Sequence, residues 1–187
     1  RMENILNLDK LPNDVLLYLA SFLYIEDIIC LSMTCKYLRN ILPLRLIRGP
    51  SIDEYGPDTW DSWQPSIYFD APTLTSYILT AAISMTWKDH GWGVQKGKVW
   101  IQLMRPRLNN HRLKLVYEDK DIFGDVPHKE KKFIKILSRK DPIISLAQPG
   151  DHFRFMKNIG GGCWRWLMIK DLRLVTVADQ TSIAIDF

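Results

Sequence analysis

The apolar positions of this chain change their period near residue 49. Between residues 11 and 42 they recur at helical spacing, as Val15, Leu16, Leu19, Phe22 and Leu23 and then as Ile28, Leu31, Cys35 and Leu38. This spacing places an apolar stripe on each of two short helices. Pro12, Asn13 and Asp14 make a helix start, since proline suits a first turn and short polar side chains satisfy free backbone amides. Tyr24 to Glu26 breaks the first helix, Asp27 opens the second, and Lys36 and Arg39 lie near its end, where positive charge is favourable. Leu11, Leu17, Tyr18, Ile25 and Ile29 add more apolar surface than so small a unit can hide alone. Either a partner or the rest of the chain must cover it.

From Ile52 onward, prolines and glycines punctuate short apolar runs. "SYILTAAISM", "KVWIQLMR", "RLKLVYED", "KKFIKILS", "DHFRFMKN" and "RWLMIKDLRLVTV" carry β-branched or aromatic residues with partial alternation, which predicts strands. "QPGD" at 148 to 151 and "GGG" at 160 to 162 are turn signals. The glycines are followed by Cys-Trp-Arg-Trp, without the Lys and Ser or Thr of a phosphate-binding loop. Six or more short strands imply an antiparallel sandwich or barrel, and the expected fold is α+β: a small helical domain over 1–48, then an antiparallel β-sandwich, jelly-roll-like, over 49–187.

Composition removes several function classes. A net charge of +4 over 187 residues is too small to argue for nucleic-acid binding, so no nucleic-acid partner is expected. The most apolar stretch, Leu16 to Leu31, is interrupted by Glu26 and Asp27, and no basic-then-apolar leader opens the chain. No membrane partner is expected, and the protein is placed in the cytoplasm, the nucleus or both. Cys30, Cys35 and Cys163 form no CxxC pair and suit small buried apolar positions; His90, His111, His128 and His152 show no ligand spacing. Neither a metal nor any other cofactor is expected.

"TWKDHGWGVQKG", residues 86 to 97, gathers Trp87, Asp89, His90, Trp92 and three glycines. Asp89 and His90 are adjacent on a strand and point to opposite faces, which spoils them as a catalytic pair. No GxSxG element is present and nothing activates Cys163, so no catalytic residue is assigned and the protein is read as a non-enzyme. Gly91 and Gly93 allow a tight turn while Trp87 and Trp92 cap a sandwich core. The same loop can present Lys88, His90 and Trp92 to a ligand, joined by Trp164, Arg165 and Trp166. The basic run at 128 to 140 reads as a strand with a solvated edge, and "DEYGPDTWDSW" at 53 to 63 as a linker wrapping onto the sandwich.

"LPNDVLLYLASFLYIEDIICLSMTCKYLRNIL", Leu11 to Leu42, resembles an F-box: an opening Leu-Pro, Val-Leu three residues on, Phe-Leu closing the first helix, an acidic residue with Ile, and "TCKYLR" near the end. This resemblance implies docking on the Skp-family adaptor of a cullin-RING ubiquitin ligase. Leu11, Pro12, Val15, Leu16, Leu19, Leu23, Ile28 and Leu31 match positions that in the family pack on the adaptor or hold the helices. "DHGWG", "VWIQL" and "LAQPGDHFRFM…GGGCWRW" are similar to a β-domain found behind F-boxes in many fungal proteins, although His90 stands for its glutamine and Gly160 to Gly162 for its Pro-Gly. The implied function is that of an SCF substrate-recognition subunit presenting a client protein, with catalysis left to other subunits. The alternatives are a lectin-like F-box protein that selects glycosylated clients and a Skp-bound regulatory subunit that recruits no cullin.

Overall fold

Alternation of buried and half-buried side chains over Ile78–Asp89 makes one long strand, and its partners follow from the same period-two pattern. The computed structural model describes residues 11–12, 15–16, 27, 30–31, 38, 44–56, 65–90, 97–107, 112–160 and 166–179. They contain nine strands: β1 (Leu44–Arg48), β2 (Ile52–Tyr55), β3 (Ser66–Asp70), β4 (Ile78–Asp89), β5 (Lys98–Pro106), β6 (Leu113–Asp119), β7 (Lys131–Ser138), β8 (His152–Asn158) and β9 (Trp166–Ala178). One antiparallel sheet has the order β1-β9-β4-β7, with β2 pairing the other half of β9; the second has the order β3-β8-β5-β6. With β1 and β2 counted as one broken strand, the connections pass between two four-stranded sheets as in a double-sheet jelly roll.

The core lies between the sheets. Ile83, Met85, Leu167 and Ile169 of the first sheet meet Ile101, Leu103, Phe153 and Phe155 of the second, all nearly inaccessible. Each such side chain stabilises the fold by roughly 1.5–3 kcal/mol. Phe123 stacks on Phe155 with ring centroids 6.4 Å apart and meets Phe133 edge-on at 5.4 Å. Trp87 packs beside Phe133 at 5.4 Å, inside the core end where its strand position predicts it.

The α+β assignment is corrected. No helix among the described residues reaches seven residues, the regular structure is almost all strand, and the class is that of two packed antiparallel sheets. Among the described residues, therefore, no helical F-box domain is seen beside the sandwich. Leu16 and Leu38 are buried with Val177, alongside Leu11, Leu31, Leu44, Leu79, Ala82 and Val175, so part of the apolar excess of residues 11 to 42 is covered by the outer face of the first sheet. Pro12 and Val15 remain exposed, whereas Leu19, Leu23 and Ile28 lie outside the described residues. The sandwich also begins before residue 49, because Leu44–Arg48 pairs with β9. Cys30 is a free, exposed thiol and not a buried one. No helix among the described residues is long and apolar enough to cross a membrane.

The strand break at Gly49 sets the direction of β2. Its N–H donates to the Leu172 carbonyl at 3.0 Å, and a Cβ there would lie 2.5 Å from Leu172 Cδ2. On β9 the matching irregularity is Asp171, with φ 52°, where the pairing with β4 shifts.

The outer face of the second sheet carries a polar row that crosses all four strands, Asp70–Arg154–Gln102–Glu118. Arg154 holds Asp70 with two hydrogen bonds at 2.7 and 2.9 Å, while the Gln102 amide and the Trp100 indole each donate to Glu118 at 2.7 Å. The Arg154 bonds hold the Asp70 carboxyl below its usual range. Burial pushes Glu118 up, but hydrogen bonds from Gln102 and Trp100 and the Lys120 charge outweigh it and leave it lowered. His152, next to this row, is lowered chiefly by burial. All three shifts have one sign: the folded state binds fewer protons than the unfolded chain, so stability is complete above the unfolded pKa values and is lost as pH falls. Thermal melts should thus show Tm falling first below about pH 6.5 as His152 is protonated, then more steeply in the carboxylate range near 4. His152→Gln should flatten the upper limb and leave the lower one; an unchanged upper limb would remove His152 from the account.

Candidate functional site

Two rows of side chains meet at one end of the outer face of the first sheet. Lys88 on β4 is opposite Met168 on β9, which is opposite Asp53 on β2; in the next row Trp166 on β9 is opposite Tyr55 on β2. The Trp166 indole N–H donates to Asp53 Oδ1. Lys88 Nζ sits 5.1 Å from the Trp166 ring centroid, and the Tyr55 and Trp166 rings lie 6.4 Å apart at 35°. Tyr55 is 73% exposed, while Met168 beneath the cluster is 3% exposed. The result is an aromatic ledge over a buried methionine, oriented by a carboxylate on one side and a cation on the other.

Such a ledge can hold a flat or apolar ligand surface against its rings and read polar groups with Asp53 and Lys88. Trp166 is pre-set by its partners, so little side-chain freedom is lost on binding. Among the described residues, no group of three or more His, Cys, Asp and Glu side chains could hold a metal ion.

Of the client-binding residues expected from sequence, Lys88 and Trp166 are brought together here. His90 is exposed and directly follows Asp89, whose main chain pairs with Leu167 beside Trp166. Trp92, Trp164 and Arg165 lie outside the described residues. Tyr55 and Asp53 were missed, because the stretch beginning at residue 53 reads as a linker. Glu54 faces the sandwich interior and pairs with Lys157, a buried cation of β8, so the inward position is polar and the alternation signal disappears. A tyrosine two residues after an aspartate, just past the Gly49-Pro50 break, was the available clue.

Asp89 does not serve His90. It is buried, accepts from the Gly97 N–H at 3.3 Å and lies 2.7 Å from His128 Nδ1, while its own N–H donates to the Pro127 carbonyl at 3.0 Å. These bonds tie the end of β4 to the start of β5 and to the segment before β7, and so anchor the strand end that carries Lys88. The basic run forms β7, which ends the strand order of its sheet as an edge.

The architecture is that of a β-sandwich with a partly exposed aromatic ledge at one sheet end. No protein-family model matches the sequence, and no curated protein matches it. Among solved structures, the chain is similar to the infectious bursal disease virus Gx strain (11% identity, TM-score 0.44, covering 73% of this chain and 33% of that one). It is also similar to the xylan-binding module CBM15 (11% identity, TM-score 0.35, 74% of this chain and 98% of that one) and to the CBM22-1 xylan-binding domain from Paenibacillus barcinonensis Xyn10C (9% identity, TM-score 0.36, 73% and 83%). The chain spans about a third of the length of the viral chains it matches.

Proposed function

We propose that the protein is a non-enzymatic recognition subunit: its β-sandwich grips a client at the Tyr55–Trp166 ledge, and the F-box-like segment from Leu11 to Leu42 docks on a Skp-family adaptor, and through it on a cullin-RING ligase, in the cytoplasm or nucleus. The ledge carries the reading, because an exposed tyrosine beside a tryptophan held in place by Asp53 and Lys88 is the kind of rigid aromatic anchor that recognition sites use. On the adaptor side, support comes from the split in the segment: Leu16 is turned onto the sandwich, while Pro12 and Val15 face outward. Those two are the residues to test, since changing them does not disturb the contact with Val177.

Co-expression with a Skp-family adaptor followed by size-exclusion chromatography should give a stable complex, and Pro12→Ala with Val15→Asp should abolish it with Tm unchanged. A native chain that leaves the adaptor behind would end the ligase reading and leave the sandwich as a free-standing binding module.

One observation favours a second reading, in which the client is selected through a glycan. Sugar rings stack on exposed aromatic faces, and Tyr55 offers one with a carboxylate beside it. A glycan array on which the native chain binds and Tyr55→Ala does not would select this reading over a peptide client.

A further inference from the structure

The outer face of the first sheet carries a band of cations between the ledge and the patch covered by Leu16 and Leu38. Arg48 on β1 stands opposite Arg173 on β9, which is opposite Ser84 on β4 and then Ile134 on β7. In the adjoining row Lys170 on β9, Thr86 on β4 and Lys132 on β7 are neighbours. All four cations are exposed, and none of them has an ion pair among the described residues. Asp171, the irregular residue between the two rows, is exposed and forms no ion pair with them.

Like charges placed directly opposite on neighbouring strands destabilise a sheet. The Arg48–Arg173 pair incurs that cost, and Lys170 and Lys132 add to the same field with no carboxylate in either row. An anionic partner would relieve it with charge-assisted hydrogen bonds to two guanidiniums. Ile134 ends the arginine row and is 60% exposed; Leu46 and Ile136, 52% and 41% exposed, end the next row, whose middle residues Val175 and Ala82 pack with the Leu16–Leu38 patch. From Trp166 to Arg173 the face extends about 20 Å, the length of a short extended peptide.

We infer that this face binds an extended acidic segment of the client protein, its carboxylates on Arg48, Arg173, Lys170 and Lys132 and its apolar side chains on the exposed Leu46, Ile134 and Ile136 that flank them. The inference rests on the recognition reading above and names the chemistry of its client. The aliphatic rim separates a peptide from a nucleic acid: a polynucleotide would use cations and a run of stacking aromatics, and has no counterpart for exposed leucine and isoleucine.

The test is fluorescence polarisation of the full chain with a labelled Glu/Leu peptide long enough to span the face, with its Gln/Leu analogue, and with oligo(dT) of matched charge. The expected result is binding of the Glu/Leu peptide that weakens with added salt, and a Kd raised roughly tenfold or more by Arg48→Gln with Arg173→Gln. The same loss is expected from the second variant, Lys170→Gln with Lys132→Gln. Melts of the arginine variant should lie at or above those of the native chain, because a repulsive pair has been removed. Equal affinity of the arginine variant, equal binding of the Gln/Leu analogue, tighter binding of oligo(dT), or no binding of the Glu/Leu peptide would each overturn the inference. Tyr55→Ala separates the two readings. Loss of a ledge ligand in that variant, with the arginine variant unaffected, would leave the ledge standing and remove the acidic footprint. Loss of the Glu/Leu peptide in the arginine variant alone would support the band independently of the ledge.

Discussion

Arg105→Ala is expected to lower stability by about 3 kcal/mol, the low end of the range for breaking a buried ion pair, because the carboxylate is buried but the guanidinium is one-third exposed. Asp151 is 1% exposed and is held by Arg105 Nε at 2.7 Å and Nη2 at 2.8 Å, while also accepting from the Gln148 N–H at 3.0 Å. Nη2 of Arg105 further donates to the Leu146 carbonyl at 3.1 Å, so one guanidinium ties β5 to both sides of the "QPGD" turn. Deleting it leaves a carboxylate in the interior with its charge uncompensated. The melting temperature should fall by about 10 °C, as expected for a domain of this size. The complementary variant Asp151→Ala removes the buried charge itself and leaves the partly exposed guanidinium, which water can solvate; its loss should be smaller. Equal losses would mean that turn geometry, and not charge burial, sets the cost.

Gly49→Ala is expected to cost about 2 kcal/mol by overpacking. The added methyl would lie 2.5 Å from Leu172 Cδ2 and 3.2 Å from Leu172 Cβ. Leu172 is 1% exposed and packed in the core, so its side chain has nowhere to turn. The relief available is for β2 to move off β9, and that strand carries Asp53 and Tyr55. Loss of stability should therefore come with an altered ledge, seen as a change in the Trp166 fluorescence environment. Leu172→Val alongside Gly49→Ala should recover part of the stability if the clash is the cause.

The strands that cross the core were legible because their inward positions are apolar. "KVWIQLMR" and "DHFRFMKN" fall on β5 and β8, whose inward Ile101, Leu103, Phe153 and Phe155 keep the period of two, and "KKFIKILS" falls on β7, where Phe133 and Leu137 keep it although Lys131 and Lys135 share their face. The shorter β1, β2 and β3 were not read as strands. In β1 two of five residues are arginines, in β2 the inward Glu54 is satisfied by Lys157, and β3 has an irregular register between Ile67 and Phe69. Each breaks the pattern with an interaction that lies far away in the chain.

The helical period of residues 11 to 42 was the strongest local signal, and it led to the wrong fold class. Periodicity records which residues need covering and does not name the surface that covers them; here Leu16 and Leu38 are buried with Val177 of β9. By itself, then, the sequence determined the two-faced strands, the turn at "QPGD" and the separation of Asp89 from His90, since all three depend on neighbours in the chain and on the alternation of side chains. Only the tertiary structure decided that Lys88 would meet Trp166, that Tyr55 and Asp53 would complete the ledge, and that Arg48 would face Arg173. Those contacts depend on strand order and register, which are set by how two sheets share one core and not by any single strand.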